Sequence, residues 1–259
     1  MKRFLISVTM LLTVVANGQY IEFSFPSPST DISGLAFKYN TLYVLDSLDR
    51  VLIELNPYSG TIRDTIQLPP TENPPVGLTA WEDTLWFAEG GTGIVYMIDE
   101  QGNEIDVFDL SDSGPQSITG LAHSFYDDEM LLMDGFDNTI YNWHLQNGYV
   151  EEIYQLQGCP EVHEISYFVD GMIAVACNDS VSPVRLYYSG TSYLPVYENY
   201  ESAVGVASRG PSRFYFSDPS MGLIHRYCVN MGAVEEGSSG LSPVELQLLR
   251  NPSPGYLEY

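Results

Sequence analysis

A repeat of just over forty residues constrains this chain more than any other feature, because self-similarity at that period means a stack or ring of small supersecondary units. A glycine followed by an apolar residue recurs at Gly34-Leu35, Gly77-Leu78, Gly120-Leu121 and Gly205-Val206, and Glu164-Ile165 fills the same slot in the fourth unit. The steps between anchors are 43, 43, 44 and 41 residues. After each anchor come a short apolar stretch, a polar turn and an apolar run rich in β-formers, such as Leu42-Tyr43-Val44-Leu45, Leu85-Trp86-Phe87-Ala88 or Ile173-Ala174-Val175-Ala176. These runs are too short for helices and lie between turn signals, as buried strands do. A third strand follows (Val51–Leu55, Ile94–Ile98, Thr139–Trp143, Val184–Tyr188). In four units a glycine-bearing turn then leads into a fourth strand: Ile62–Leu68, Glu104–Leu110, Tyr149–Leu156 and Tyr193–Tyr197.

Four strands in about 40–45 residues is the unit of a propeller blade. The sequence therefore predicts an all-β chain, a β-propeller of five four-stranded blades over residues 19–231. The fifth unit has only three strands before the chain turns Gly- and Ser-rich, and Tyr20–Pro26 stands before the first anchor as a fourth strand stands before each later one. An N-terminal strand is thus expected to complete the last blade and remove the open edge of the ring. A sixth blade is the rival count, but 230–259 is short and polar.

The run Leu42-Tyr43-Val44-Leu45-Asp46-Ser47, followed by Arg50-Val51-Leu52-Ile53-Glu54-Leu55-Asn56-Pro57-Tyr58-Ser59-Gly60 and echoed at Leu85–Glu89 and Val95–Asp99, resembles the NHL and YVTN kind of propeller repeat. The resemblance covers about residues 20–230. It implies blade architecture and leaves activity open, since such folds carry binding, scaffold and enzymatic functions alike.

The ends of the chain suggest an address. Lys2 and Arg3 precede an apolar run of 13 residues, with Ala16 and Gly18 small before a cut, so 1–18 reads as a secretory signal. A membrane anchor is the rival reading, but a span needs about 20 apolar residues. No later segment is apolar enough to be transmembrane. Residues 232–243 read as a linker. In 244–259, Val244–Leu249 and the Asn251-Pro252-Ser253-Pro254-Gly255 turn resemble the start of a type IX secretion C-terminal sorting domain, with Arg250 in place of the usual first proline. That resemblance implies display at, or release from, a bacterial cell surface. A polar tail is the alternative.

Ten Lys plus Arg stand against 34 Asp plus Glu. A chain of this sign repels phosphate backbones, which argues against nucleic acid as a partner. The expected partner is a protein, peptide or carbohydrate at the channel face, bound by a monomer. Cys159 and Cys177 fall at two corners of one face of the fourth unit, which makes a disulfide between them geometrically reasonable. Two unpaired cysteines are the alternative, and Cys228 is left as a thiol.

The candidate chemistry lies where strands meet corners. Asp46, Glu89, Asp134 and Asp218 each end a second strand, and ring closure would bring them toward one another. Oxygen clusters of this kind suit Ca²⁺, although Asp at such corners commonly accepts turn amides. The break in the repeat, His163-Glu164, puts a charge where other units have glycine. Glu164 resembles in position the acidic metal ligand of gluconolactonase-type propellers, and His163 is an acid/base by type. His123, within a first strand, reads as structural. Gly77-Leu78-Thr79 with Trp81 and Leu85-Trp86 is similar to plant-type glutaminyl cyclases, although Ser33 stands where that pattern wants Gln or Glu. No nucleophile elbow, phosphate loop or HExxH is present. The leading reading is a binding or scaffold module with no catalytic motif. The alternative is a small propeller enzyme, either a metal-dependent lactonase-like hydrolase or a glutaminyl-cyclase-like transferase.

Overall fold

The computed structural model describes residues 19–124, 128–169, 172–180, 182–189, 192–197, 202–210 and 212–229. The signal (1–18), the linker (232–243) and the sorting-like tail (244–259) lie outside them. The described chain is all β apart from one short 3-10 turn at Ser111–Ser113. Blade 1 is β2 (Ile32–Lys38), β3 (Thr41–Asp46), β4 (Val51–Leu55) and β5 (Ile62–Gln67). Blade 2 is β6 (Pro75–Trp81), β7 (Thr84–Glu89), β8 (Ile94–Asp99) and β9 (Glu104–Asp109). Blade 3 is β10 (Ile118–His123), β11 (Glu129–Asp134), β12 (Thr139–His144) and β13 (Tyr149–Gln155). Blade 4 is β14 (Val162–Val169), β15 (Met172–Cys177), β16 (Val184–Ser189) and β17 (Ser192–Tyr197). Blade 5 holds β18 (Val206–Ser208), β19 (Arg213–Asp218) and β20 (Leu223–Val229), with β1 (Gln19–Pro26) beside β20 as its fourth strand.

Each blade is a separate four-stranded antiparallel sheet, so stability must come from packing between blades. The buried clusters fall there. Tyr43, Leu45, Leu52, Leu85 and Phe87 join blades 1 and 2, and Trp86, Val95, Leu121, Leu132 and Trp143 join blades 2 and 3. Ile140, Ile165, Val175 and Tyr187 join blades 3 and 4. Phe168 meets Phe214 edge-on between blades 4 and 5, with ring centroids 5.9 Å apart. Phe25, Leu35, Val44, Tyr215 and Ile224 join blade 5 to blade 1. The second strands, apolar on both faces, are buried almost end to end because a neighbouring blade covers each face.

The five inner strands β2, β6, β10, β14 and β18 each touch the next, and β18 returns to β2. The ring is therefore closed, and no inner sheet edge is open. Ile21–Tyr227 forms one compact unit, and the other described residues, 19–20 and 228–229, are the far ends of β1 and β20. Four inner strands share a further feature. Their register slips at the anchor: between Ile32 and Gly34, Val76 and Leu78, Ile118 and Gly120, and Val162 and Glu164. A bulge leaves a residue out of the ladder. In this ring the amides beside the bulges meet a carboxylate in the channel.

Candidate functional site

The channel has two different regions along its axis. Near the start of the inner strands, Glu164 is fully buried. Its Oε2 accepts the Leu78 amide at 2.9 Å, and its Oε1 accepts the amides of Leu121 and Ile165, both at 3.1 Å. The Leu35 amide adds a fourth hydrogen bond. One carboxylate thus ties together the inner strands of blades 1, 2, 3 and 4. It also explains two of the glycine anchors. A Cβ on Gly34 would lie 2.9 Å from Glu164 Oε2, and one on Gly120 would lie 3.1 Å from Oε1 and 2.8 Å from the Ile165 amide nitrogen. Glycine at 34 and 120 leaves room for the glutamate of the fourth unit, whereas a Cβ on Gly77 or Gly205 would meet Gly120 or Leu35 instead. Burial pushes the Glu164 carboxyl well above the usual carboxylate range, and the four amides pull the other way.

Past Glu164, toward the ends of the inner strands, lies a cavity of about 40 Å³. Leu35, Ala36 and Phe37 of β2, Leu78, Thr79 and Ala80 of β6, His123 of β10, Ser166 and Tyr167 of β14, and Ser208 of β18 line it, so all five blades contribute. That space holds a few waters or a small polar group. Two side chains on its wall are set by the same device. The Thr79 hydroxyl accepts the His123 amide at 3.2 Å, and the Ser166 hydroxyl accepts the Ser208 amide at 2.9 Å, each from the next blade round the ring. His123 stacks on Trp81, with ring centroids 4.6 Å apart. Burial lowers its pKa to about 4, so the ring is neutral at ordinary pH. Among the described residues, its Nε2 and the Ser208 Oγ are both buried without a hydrogen-bond partner. Native interiors rarely leave such atoms orphaned.

The corner carboxylates hold turns and the connections between blades. Asp46 accepts the Leu48 and Asp49 amides at 3.0 and 2.8 Å. Asp134 accepts the Phe136 amide at 2.8 Å and the Gln116 amide at 2.7 Å. Glu89 accepts the Asn73 amide at 2.6 Å, and Asp218 accepts the Ser220 hydroxyl at 2.6 Å and the Met221 amide at 3.1 Å. Among the described residues no group of three or more His, Cys, Asp or Glu side chains is placed to hold a metal ion. Around Glu164 the nearest polar groups are N–H donors, which suit an anion and repel a cation. Among the described residues the candidate carboxylates are thus apart from one another and engaged by protein donors. His163 lies beside this hub, its pKa lowered by burial and partly restored by Glu161. Cys159 and Cys177 form a disulfide, with Cα atoms 6.0 Å apart, that fixes the loop leading to both residues.

The sequence reading placed function at the face of the second-to-third strand corners. The cavity lies past Glu164, toward the opposite ends of the inner strands. The signal for it was present but faint: polar residues two and three places after an anchor (Thr79, His123, Ser166, Ser208).

No protein-family model matches the chain, and no curated protein does. Solved structures do. The chain is similar to a glutaminyl cyclase of Myxococcus xanthus, with a TM-score of 0.63 and 15% identity over 82% of this chain and 96% of that one. A streptogramin B lyase aligns more loosely, with a TM-score of 0.46 and 18% identity over 80% of this chain and 67% of that one. At such identities the likeness is one of fold.

Proposed function

We propose that this protein is a small propeller enzyme working in the channel cavity, and that its reaction is the intramolecular acyl transfer of a glutaminyl cyclase. The observation that carries the reading is the pair of buried, unpartnered groups on the cavity wall, His123 Nε2 and Ser208 Oγ. Among the described residues no charged side chain lines the cavity, so it favours a neutral polar group with both a donor and an acceptor. A primary carboxamide has both. The overall likeness to a solved glutaminyl cyclase supports the same choice.

In the proposed reaction the α-amine of an N-terminal glutamine attacks the carbon of its own side-chain amide. The ring C–N bond forms, the bond to the side-chain nitrogen breaks, and ammonia leaves with the proton that the amine gave up. His123 Nε2 carries that proton from one nitrogen to the other, and the Ser208 hydroxyl donates to the amide oxygen as charge builds there. The chain departs from the cyclase pattern at Ser33, where no acidic or amide side chain precedes Gly-Leu. The acid/base role therefore passes to the histidine.

The test is incubation with a peptide bearing N-terminal glutamine, reading ammonia release and the mass of the product. Cyclisation is expected, with kcat/KM falling about 100-fold or more in His123→Ala, the usual scale for a general acid/base. A wild-type protein that turns over no such peptide would leave the binding-module reading. One observation favours that reading: the carboxylate at the channel centre is wholly engaged by backbone amides. We further propose that the protein works outside the cytoplasm. The charged and apolar start of the chain and the Cys159–Cys177 disulfide support this, since such bonds persist in oxidising compartments.

A further inference from the structure

Positive charge is scarce in this chain, yet it collects in one place. Arg209, Arg213 and Arg226 are three of the seven arginines after Arg3, and all three approach the seam between blades 5 and 1. Glu22 accepts from Arg213 Nε at 2.9 Å and lies 2.7 Å from Arg226 Nε, so one carboxylate answers two guanidinium groups. Among the described residues no carboxylate lies within ion-pair distance of Arg209. Its guanidinium is held by rings instead, 5.0 Å from the centre of Phe37 and 4.9 Å from that of Tyr58, and it donates to the Tyr58 hydroxyl. Its Nη1 is buried and has no hydrogen-bond partner among the described residues, and the Tyr215 hydroxyl is a further neighbour of the guanidinium. Tyr58 is half exposed, and the three arginines together push its phenol toward ionisation.

This corner adjoins the cavity. Phe37, beneath the Arg209 guanidinium, is a cavity wall residue, and so is Ser208, the residue before Arg209. We propose that Arg209 and its neighbours form an anion subsite at the cavity rim, and that the ligand is an acidic peptide: a neutral amide group enters the cavity while a carboxylate on the next residue pairs with Arg209. The choice of an amide for the cavity rests on the function proposed above; the carboxylate preference rests on the arginine corner alone. A guanidinium held beside two rings and by the Tyr58 hydroxyl is already oriented, so pairing costs little side-chain entropy. In a strongly acidic protein the same corner would also draw in an anionic peptide that the rest of the surface repels.

The experiment uses blocked peptides that cannot cyclise, so a failure of catalysis and a failure of this subsite stay distinct. Calorimetry compares N-acetyl-Gln-Glu-amide with N-acetyl-Gln-Gln-amide. The acidic peptide is expected to bind at least tenfold more tightly at low salt. The preference should shrink as salt rises and disappear in Arg209→Gln, while Arg209→Lys retains part of it. Equal affinities in the wild-type protein, or binding by neither peptide, would overturn the proposal whatever the variants do.

Discussion

The two regions of the channel put polar groups in similar burial and treat them in opposite ways. Around Glu164 every visible demand is met: each carboxylate oxygen accepts backbone amides, and the amides beside four bulges find an acceptor. Around His123 the backbone is satisfied by Thr79 and Ser166, but the side-chain atoms His123 Nε2 and Ser208 Oγ are left open. Burying a polar group is cheap only when it is paired. The contrast therefore separates a hub, which ties four inner strands together, from a wall that costs stability until something binds to it. The residue that breaks the repeat is engaged by backbone amides, and the histidine read as structural lines the cavity.

The most direct way to break this comparison is Glu164→Ala. Up to four buried amides would lose their acceptor at roughly 1–3 kcal/mol each, partly offset because a desolvated carboxyl is removed. A net loss of about 4 kcal/mol is expected in urea unfolding. Glu164→Gln should also destabilise, because its NH₂ would face N–H donors. An unchanged midpoint in Glu164→Ala would remove the hub from the account.

The disulfide tests the same region from outside the channel. Cys159 and Cys177 are 18 residues apart, and closing a loop of that size stabilises by about 3 kcal/mol in the chain-entropy view. The Cys159→Ala/Cys177→Ala double variant should lose that much while leaving ligand affinity at the cavity unchanged. Coupled loss of affinity would mean that the two regions are one cooperative site.

Acid sharpens the comparison, because the two buried groups titrate with opposite sign. His123 has a folded pKa lowered to about 4, so between 6.5 and 4 the unfolded chain binds the proton and the folded chain does not. Its contribution is fully present above 6.5 and is lost as pH falls, by roughly 2 kcal/mol after allowing for screening at a partly open site. His163 and His225, also lowered by burial, act in the same direction. Glu164, raised by burial, does the reverse: its contribution is fully present below 4.5 and declines as pH climbs toward its folded pKa. Stability curves of His123→Ala should lose part of the acid slope, and those of Glu164→Gln should lose the opposing term. A wild-type curve that His123→Ala leaves unchanged would place that ring in contact with water.

How much of this was legible follows from what each feature needs. Blade count and the closing role of Tyr20–Pro26 follow from the spacing of glycine anchors and apolar runs, because both are local patterns. Glu164 was visible as a charge in a glycine slot. Its role was hidden because its partners are backbone amides of Leu35, Leu78 and Leu121 in three other blades, and amides leave no mark in a sequence. The cavity was hidden for a related reason. Thr79 and His123 are 44 residues apart, Ser166 and Ser208 are 42 apart, and only ring closure gathers them. A lone histidine in a β-strand reads the same whether its ring nitrogen is paired or open.

The smallest effect concerns the corner carboxylates, which carry the remaining choice between turn holder and cation ligand. Asp46 accepts two amides of its own turn, whereas Asp134 accepts one from its turn and one from Gln116, 18 residues away on the preceding connection. If these are turn holders, Asp46→Ala should cost about 1 kcal/mol and Asp134→Ala somewhat more, since a second segment loses its acceptor. Each loss should be independent of the others, because the carboxylates sit in different blades and share no partner. A bound cation would couple them: removing one ligand would weaken the hold on the rest, and millimolar Ca²⁺ would raise the melting temperature of the wild-type protein but not of the variants. Additive losses with no response to Ca²⁺ are expected. Non-additive losses that Ca²⁺ rescues would move the working end of the channel to these corners and turn the comparison around.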